Sequence, residues 1–328
     1  MSRAATDTSA APRGKHFPTL SESLWCAGAL VVWLGVTALC IGFRPEHVVL
    51  AVAIFALFFL NGATRRLTIA LVPFFLFGIS YDWMNIVPNY EVNPVDVEGL
   101  YNTEKSWFGI ATAAGVLTPN EFFAVHHTAA VDFLAGIFYL CWVPLPVAFG
   151  LYLYFSRRTG ACLRFSMVFL LVNLLGFCIY YIHPAAPPWN VALHGFEAVP
   201  GTPGDVAGLG RFDAMTGMGI FDGLYARNSN VFAAVPSLHS AYTLVALIYA
   251  VLCRAPKGWI AVLAVVTAGI WFTAVYTSHH YIIDVLLGIA TALAGTAIFE
   301  FGLMRIRPFA AFVRRYAAYV ARPQKSDR

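Results

Sequence analysis

His280 and Asp284 have the spacing of a histidine that is oriented by a carboxylate. They lie four residues apart in S-H-H-Y-I-I-D, beside a long apolar stretch, so on a helix the carboxylate can reach the imidazole. An aspartate that accepts the Nδ1 proton fixes the tautomer and raises the basicity of Nε2. This spacing indicates a nucleophilic His280, although an interfacial histidine beside a helix-capping aspartate would have the same spacing.

A second candidate, His239, lies in A-A-V-P-S-L-H-S-A-Y, where a glycine-rich loop gives way to an apolar run. We expect Pro236 to occupy the first turn of a helix, where its missing N–H costs nothing. The free backbone N–H groups of that turn, with the Ser237 hydroxyl, could bind an anion. His239 would lie on the same turn, close enough to exchange a proton with the anion. Taken alone, it is equally typical of a hydrogen-bonded interfacial residue.

Together the two motifs indicate phosphoryl transfer through a phosphohistidine. One histidine would attack phosphorus, and the other would protonate the leaving oxygen and then deprotonate the acceptor. His239, His279 and His280 lack the cysteine or carboxylate spacing of a zinc site. The sequence therefore predicts no metal and no cofactor.

The composition indicates the kind of scaffold that must position these residues. The chain has 328 residues, of which 59% are hydrophobic and only 12% charged, which is too apolar for a soluble domain of this size. Apolar runs of about 20 residues can each cross a bilayer core of about 30 Å. We therefore expect an all-α, polytopic transmembrane helix bundle of about eight spans, at residues 24–43, 47–63, 67–87, 131–155, 163–182, 236–253, 258–276 and 281–303.

The distribution of basic residues predicts the orientation of this bundle. If both termini are cytoplasmic, 17 of the 21 Lys and Arg residues lie on the cytoplasmic side, as the positive-inside rule requires. Both histidine motifs then lie on the extracytoplasmic side. The chain has no N-x-Ser/Thr acceptor, which fits a multi-pass protein of a bacterial inner membrane.

The predicted organisation has three parts. Residues 1–66 form a cytoplasmic N-terminus and two accessory spans. Residues 67–304 form a six-span catalytic core with extracytoplasmic loops at 88–130 and 183–235. Residues 305–328 form a basic cytoplasmic tail, which could lie along an anionic leaflet as an amphipathic helix or simply set the topology.

Several polar residues on the predicted extracytoplasmic side are candidates for binding the substrate. Arg211 and Arg227 are two of only four basic residues there; they could neutralise a phosphate or be solvated loop residues. Ionisable groups at the ends of apolar spans are costly unless they are paired or functional. The full set of candidates for phosphate or headgroup binding is Ser237, His183, Arg227, Arg211, Asp82, Asp132 and Asn228.

P-S-L-H and H-x-x-x-D, in this order, resemble the second and third signature motifs of the type 2 phosphatidic acid phosphatase superfamily. Four longer strings resemble its inositol phosphorylceramide synthase-like branch: Y-I-H-P-A-A-P-P-W, G-L-G-R-F-D, F-A-A-V-P-S-L-H-S-A-Y and Y-T-S-H-H-Y-I-I-D-V-L-L-G. The resemblance covers residues 125–303. It implies a six-helix core in which His280 is the nucleophile, Asp284 its orienting carboxylate and His239 the acid and base.

The sequence departs from the phosphatase motifs at two cationic positions. The family's Lys and Arg-Pro are replaced near His183-Pro184, and its Ser-Arg is replaced by Thr273-Ala274. A less cationic site suits a phosphodiester, which carries one negative charge. The resemblance thus implies transfer of a phospho-headgroup, for example phosphoinositol, from a phospholipid to a lipid alcohol such as ceramide.

Two other functions remain open at this point. A lipid phosphate phosphatase would use the same residues with water as the acceptor, and a non-enzymatic transporter or scaffold would use none of them for catalysis. Phospholipid and lipid-alcohol substrates and the membrane are the expected partners, and no feature indicates nucleic-acid binding.

Overall fold

The computed structural model describes residues 17–113, 115–227 and 230–321. The chain divides into two compact units, one formed by the described parts of Met1–Ala70 and Val320–Arg328, the other by Leu71–Tyr319. The second unit contains both histidine motifs. The candidate residue Asn228 and most of the predicted cytoplasmic N-terminus lie outside the described residues.

The first unit contains three helices: α1 (Leu20–Cys40), α2 (Pro45–Leu60) and α3 (Gly62–Ala70). Thr19 and Glu22 form a capping box at the start of α1. The side chain of Asn61 accepts the backbone N–H groups of Ala63 and Thr64 at 2.8 and 3.0 Å, which starts α3. The second apolar helix therefore ends at Leu60, three residues earlier than predicted, because Asn61 caps the next helix.

The second unit is also predominantly helical, which confirms the predicted fold class. Its helices are α4 (Val72–Trp83), α5 (Glu98–Phe108), α6 (Pro119–Val125), α7 (Ala129–Leu140), α8 (Pro144–Phe155), α9 (Thr159–Ile182), α10 (Pro188–His194), α11 (Gly210–Thr216), α12 (Ile220–Tyr225), α13 (Leu238–Leu252), α14 (Lys257–Tyr276), α15 (Ile282–Ala297) and α16 (Arg307–Val320). One antiparallel hairpin, β1 (Ile110–Thr112) and β2 (Gly115–Leu117), pairs Ala111 with Val116.

The length and apolar composition of the described helices indicate a multi-pass membrane protein. Four are long and apolar enough to cross a bilayer, or up to six if each of two bent helix pairs is one span, and two shorter helices, α2 and α13, are also apolar. These elements account for the eight predicted apolar segments. The predicted span 131–155 is not straight, however, because α7 and α8 meet at a bend of 45°. Pro144 and Pro146 lack the N–H groups that would continue the helix through this point.

Helix α13 is held between α9, α14 and α15. The Tyr242 hydroxyl donates to Asn173 Oδ1 on α9 at 2.6 Å, in a fully buried position. On the other side, Trp271 Nε1 on α14 donates to the backbone oxygen of Ser240 at 3.0 Å. These bonds fix the first turns of α13, which carry His239.

The two predicted extracytoplasmic loops are structured and pair with each other. The Asp96 N–H donates to Pro184 O at 2.8 Å, and the Ala186 N–H donates to Asp96 O at 2.9 Å. The Ala185 N–H in turn donates to Phe232 O at 3.1 Å. Three backbone segments from residues far apart in sequence thus run side by side next to the ends of α13 and α15.

Candidate active site

The N-terminal end of α13 differs from the prediction for Pro236 and Ser237. The helix begins at Leu238, so Pro236 lies outside it and Ser237 is the N-cap residue. The Ser237 hydroxyl is fully buried and accepts the Ser240 N–H at 3.4 Å. Because this hydroxyl caps its own helix, Ser237 does not line the cavity beside His239.

The tautomer of His280 follows from the atoms around its Nδ1. This nitrogen lies 3.1 Å from Ala234 O and 3.3 Å from Asp284 Oδ2. A carbonyl oxygen can only accept a hydrogen bond, so Nδ1 carries the proton and Nε2 carries a lone pair. Burial lowers the pKa of His280 to about 4, which keeps the imidazole neutral at physiological pH. The Nε2 atom therefore has the electron pair that a nucleophile requires.

His239 lies directly beside this lone pair. Its Nδ1 is 3.0 Å from Nε2 of His280, and because Nε2 accepts, the proton of this contact belongs to His239. The ring of His239 stacks on Tyr139 at 5.0 Å between centroids and meets the edge of Trp142 at 4.6 Å. The structure thus brings together His239, His280 and Asp284 in one hydrogen-bonded row.

The two motifs meet because α13 and α15 approach very closely at their N-terminal ends. The Ser237 N–H donates to Asp284 O at 2.9 Å, and the Ser240 hydroxyl lies 3.2 Å from Val285 O. A Cβ atom at Gly288 would lie 2.1 Å from both Ser237 O and Ser240 Oγ. Only glycine fits at this position, and the close contact holds the two histidines in register.

Two buried residues from the 88–130 segment fix the turn that carries His280. The Glu104 carboxylate accepts the N–H groups of Ile282 and Ile283 at 2.9 and 3.2 Å, which caps α15. Burial raises the pKa of this carboxyl to about 7. The Asn120 side chain donates to His280 O and to a second backbone oxygen, each at 2.9 Å. Sequence reasoning missed both residues, since neither belongs to a motif with recognisable spacing.

His239 and His280 open onto a cavity of about 290 Å³. Its wall is mainly aromatic, and Arg227 is the only Lys or Arg among the described residues that line it. Asn230 adds a polar side chain from the same loop. The other lining residues include Tyr81, Tyr139, Trp142, Tyr180, Trp189, Tyr225, Tyr242 and His279.

Asp132 and Arg211 form an ion pair away from this cavity. Arg211 Nε lies 2.7 Å from Asp132 Oδ1, which also accepts the Tyr276 hydroxyl at 2.8 Å. His127 Nδ1 lies 3.2 Å from the second carboxylate oxygen. Neither Asp132 nor Arg211 lines the cavity, because each is engaged in a network that ties α7 to α11 and α14.

The remaining candidates also lie outside the cavity wall. His183 ends α9, is about half exposed, and places its Nε2 3.4 Å from Asp96 Oδ2. Asp82 lies in the last turn of α4, next to Tyr81, which does line the cavity. Of the predicted substrate-binding residues that the structure describes, only Arg227 therefore lines the cavity.

No group of three or more His, Cys, Asp or Glu side chains suited to a metal occurs within residues 17–113, 115–227 and 230–321. The His239–His280–Asp284 row instead combines a lone pair, an acid and an orienting carboxylate. This arrangement suits attack on phosphorus by a nitrogen nucleophile.

Comparison with known proteins identifies the family of this chain. Residues 112–298 match the PAP2 superfamily. The chain is 57% identical to a phosphoinositol dihydroceramide synthase of Bacteroides thetaiotaomicron over 303 residues, which are 92% of this chain and 99% of that protein. It is 30% identical to an inositol phosphorylceramide synthase of Candida albicans over 186 residues, 55% of this chain and 38% of that protein.

A catalytic subunit of inositol phosphorylceramide synthase from Saccharomyces cerevisiae is 32% identical over 121 residues, 36% of this chain and 29% of that protein. The chain thus spans less than half the length of these two fungal relatives but nearly all of the bacterial one. No solved structure matches the chain significantly. The two histidine motifs lie within the matched region, and the chain belongs to the PAP2 superfamily of membrane lipid phosphotransferases and phosphatases.

Proposed function

We propose that this enzyme transfers phosphoinositol from a phospholipid to a ceramide-type lipid alcohol. The observation that carries the proposal is the 3.0 Å contact between His239 Nδ1 and His280 Nε2, with Asp284 behind His280. The name of the Bacteroides relative, which is 57% identical over 92% of the chain, supports the identity of the headgroup and the acceptor.

In the first half of the reaction, His280 Nε2 attacks the phosphorus of the donor diester. The new bond joins Nε2 to phosphorus, and the bond from phosphorus to the diacylglycerol oxygen breaks. His239 enters this step as the imidazolium and gives one of its two ring protons to that oxygen, so diacylglycerol leaves as a neutral alcohol and His239 becomes neutral. Asp284 stabilises the positive charge that develops on the His280 ring, because its carboxylate faces Nδ1.

In the second half, His239 removes the proton from the hydroxyl of the lipid alcohol. The alcohol oxygen forms a bond to phosphorus, and the bond to His280 Nε2 breaks. The histidines return to their starting protonation states, and the product is an inositol-phosphorylated lipid. Both half-reactions use the same two side chains, as a ping-pong mechanism requires.

The charge of the cavity favours a diester over a monoester. Arg227 is the only Lys or Arg among the described residues of its wall, and one guanidinium balances the single negative charge of a diester. A phosphate monoester carries nearly two charges and would leave one of them unbalanced in an aromatic cavity. This difference supports a transferase over a phosphatase.

We also propose a membrane topology for this protein, based on the distribution of its Lys and Arg residues. Both termini are cytoplasmic, the active site faces the other side of a bacterial inner membrane, and residues 67–304 form the catalytic core. The 17 basic residues assigned to the cytoplasmic side support this orientation. Single cysteines placed at Glu98 and Arg254, in a variant whose six native cysteines are replaced by alanine, test it. Only the cysteine at position 98 should react with a membrane-impermeant maleimide in intact spheroplasts.

Transfer is tested with the purified protein, inositol-labelled phosphatidylinositol and ceramide in detergent micelles. We expect labelled inositol phosphorylceramide with the wild type and none with His239→Ala or His280→Ala. His183→Ala is the matched control, because His183 lies outside the cavity wall, and it should retain activity. Turnover in both active-site variants would exclude this mechanism, and release of inositol phosphate without dependence on ceramide would exclude the transferase.

A further inference from the structure

His279 is a buried histidine that the proposed mechanism does not use. Its side chain is 3% exposed, and it lines the same cavity as His239 and His280. The ring packs against Tyr225 at 4.4 Å and Tyr139 at 5.5 Å between centroids. The imidazole is thus fixed among aromatic rings on the wall of the active site.

The tautomer of His279 is set by Thr277. The Thr277 hydroxyl donates its proton to Thr273 O at 2.7 Å, so its oxygen is left to accept. His279 Nδ1 lies 3.0 Å from this oxygen and must therefore be the donor. Burial lowers the pKa of His279, so a second proton is not added. The other nitrogen, Nε2, consequently carries a lone pair.

This Nε2 atom is buried and has no partner in hydrogen-bond geometry among the residues that the structure describes, although the backbone oxygens of Thr277 and Asp205 also lie beside the ring. Buried polar atoms nearly always make a hydrogen bond, because burial removes their hydrogen bonds to water and an acceptor without a new donor is energetically unfavourable. A lone pair repels phosphate oxygens and attracts O–H groups. The ligand chemistry that fits this wall of the cavity is therefore a neutral hydroxyl donor.

We propose that His279 Nε2 accepts a hydrogen bond from a hydroxyl of the lipid substrates, most directly from the polyol headgroup of the donor. The inference rests on the proposed function, which places the phosphodiester at His280. His279 and His280 line the same cavity, so a headgroup attached to that phosphorus would share this cavity with His279. His279 thereby selects donors that carry headgroup hydroxyls.

Two substitutions separate the acceptor role from a structural one. The carbonyl of His279→Gln can reach the Nε2 position and accept, whereas the amide of His279→Asn reaches only the Nδ1 position, where it can still donate to Thr277. We expect His279→Asn to raise KM for phosphatidylinositol about tenfold, the effect of one lost hydrogen bond, with kcat within about twofold. His279→Gln should restore most of the affinity.

Donor analogues that lack single inositol hydroxyls identify the bonded group. With the wild-type enzyme, one analogue should have a kcat/KM about tenfold lower than that of phosphatidylinositol. With His279→Asn, the same analogue and phosphatidylinositol should have equal kcat/KM values, because this variant already lacks the hydrogen bond to the missing hydroxyl. If only KM for ceramide rises in His279→Asn, the hydroxyl belongs to the acceptor lipid, and hydroxyl recognition by His279 still holds.

Two results would overturn the inference. In one, both KM values stay unchanged in a folded His279→Asn protein. In the other, His279→Gln and His279→Asn lose kcat and melting temperature together, which indicates a purely structural residue. Failure of the proposed function would be visible separately, as a wild-type protein that forms no inositol phosphorylceramide at all.

Discussion

Replacing Gly288 by alanine should disrupt the active site without touching any catalytic side chain. The added Cβ would lie 2.1 Å from Ser237 O and from Ser240 Oγ, which is 0.9 Å inside the 3.0 Å limit of real Cβ contacts. Neither oxygen can move freely, because Ser240 Oγ is bonded to Ser237 O at 2.7 Å within the capped end of α13. The two helices must therefore separate by close to 1 Å at this point.

Such a separation acts directly on the two histidines that we propose to react. Ser237 and His239 share the N-terminal end of α13, and the His239–His280 contact of 3.0 Å should lengthen with the gap between α13 and α15. A misplacement of about 1 Å can reduce a rate by about 100-fold. Overpacking of this kind also costs about 1–3 kcal/mol of stability. We expect Gly288→Ala to lower kcat about 100-fold with a modest fall in melting temperature.

The assay is steady-state transfer in micelles, combined with thermal unfolding of the same preparation. Gly78→Ala is the control, since Gly78 also lies within a helix and its added Cβ would meet no atom within 4 Å. This control should keep wild-type kcat. An unchanged kcat in Gly288→Ala would refute the conclusion that the close contact of α13 and α15 sets the distance between the two histidines.

Three further predictions follow from the same site. Asp284→Asn should lower kcat by about 10³-fold with little change in KM, because the charge opposite His280 Nδ1 is lost; single-turnover release of diacylglycerol measures this. The pKa of Glu104 rises from 4.5 in the unfolded chain to about 7 in the folded protein. Between these pH values the folded state holds a proton that the unfolded state has lost, so the free energy of unfolding should fall as pH rises from 4.5 to 7. Melting temperatures measured across this range should depend less on pH in Glu104→Gln. Arg227→Ala should raise KM for the donor, whereas Arg211→Ala should lower the melting temperature because it removes the only guanidinium recorded on the buried Asp132 carboxylate and leaves it with Tyr276 and His127; a higher KM for the donor in Arg211→Ala at an unchanged melting temperature would restore Arg211 as a phosphate ligand.

The sequence predicted the parts of the site that depend on local spacing. The four-residue step from His280 to Asp284 needs only a helical first turn to bring the side chains together, and the structure has that turn. Apolar runs likewise predicted the positions of the long helices. The break between α7 and α8 was visible in principle, since Pro144 and Pro146 interrupt the predicted span 131–155.

The parts that depend on long-range contacts could not be predicted in this way. Glu104 and Asn120 lie more than 150 residues before the turn they hold, and a single carboxylate or amide in a polar segment has no distinguishing pattern. Arg211 and Arg227 look equivalent as loop arginines, yet one is paired with Asp132 and the other lines the cavity. Only the folded arrangement separates these roles.

The origin of these supporting residues also has a consequence for biosynthesis. Glu104 and Asn120 emerge from the ribosome long before α15. Glu104 accepts N–H groups of α15, the last long apolar helix among the described residues, and Asn120 donates to the backbone oxygen of His280 just before it. A chain that ends before residue 280 can contain α13 and His239, but it lacks both His280, the proposed nucleophile, and Asp284. On the proposed mechanism, catalytic competence is therefore acquired late in synthesis, and a chain that ends before α15 should not act on membrane lipids.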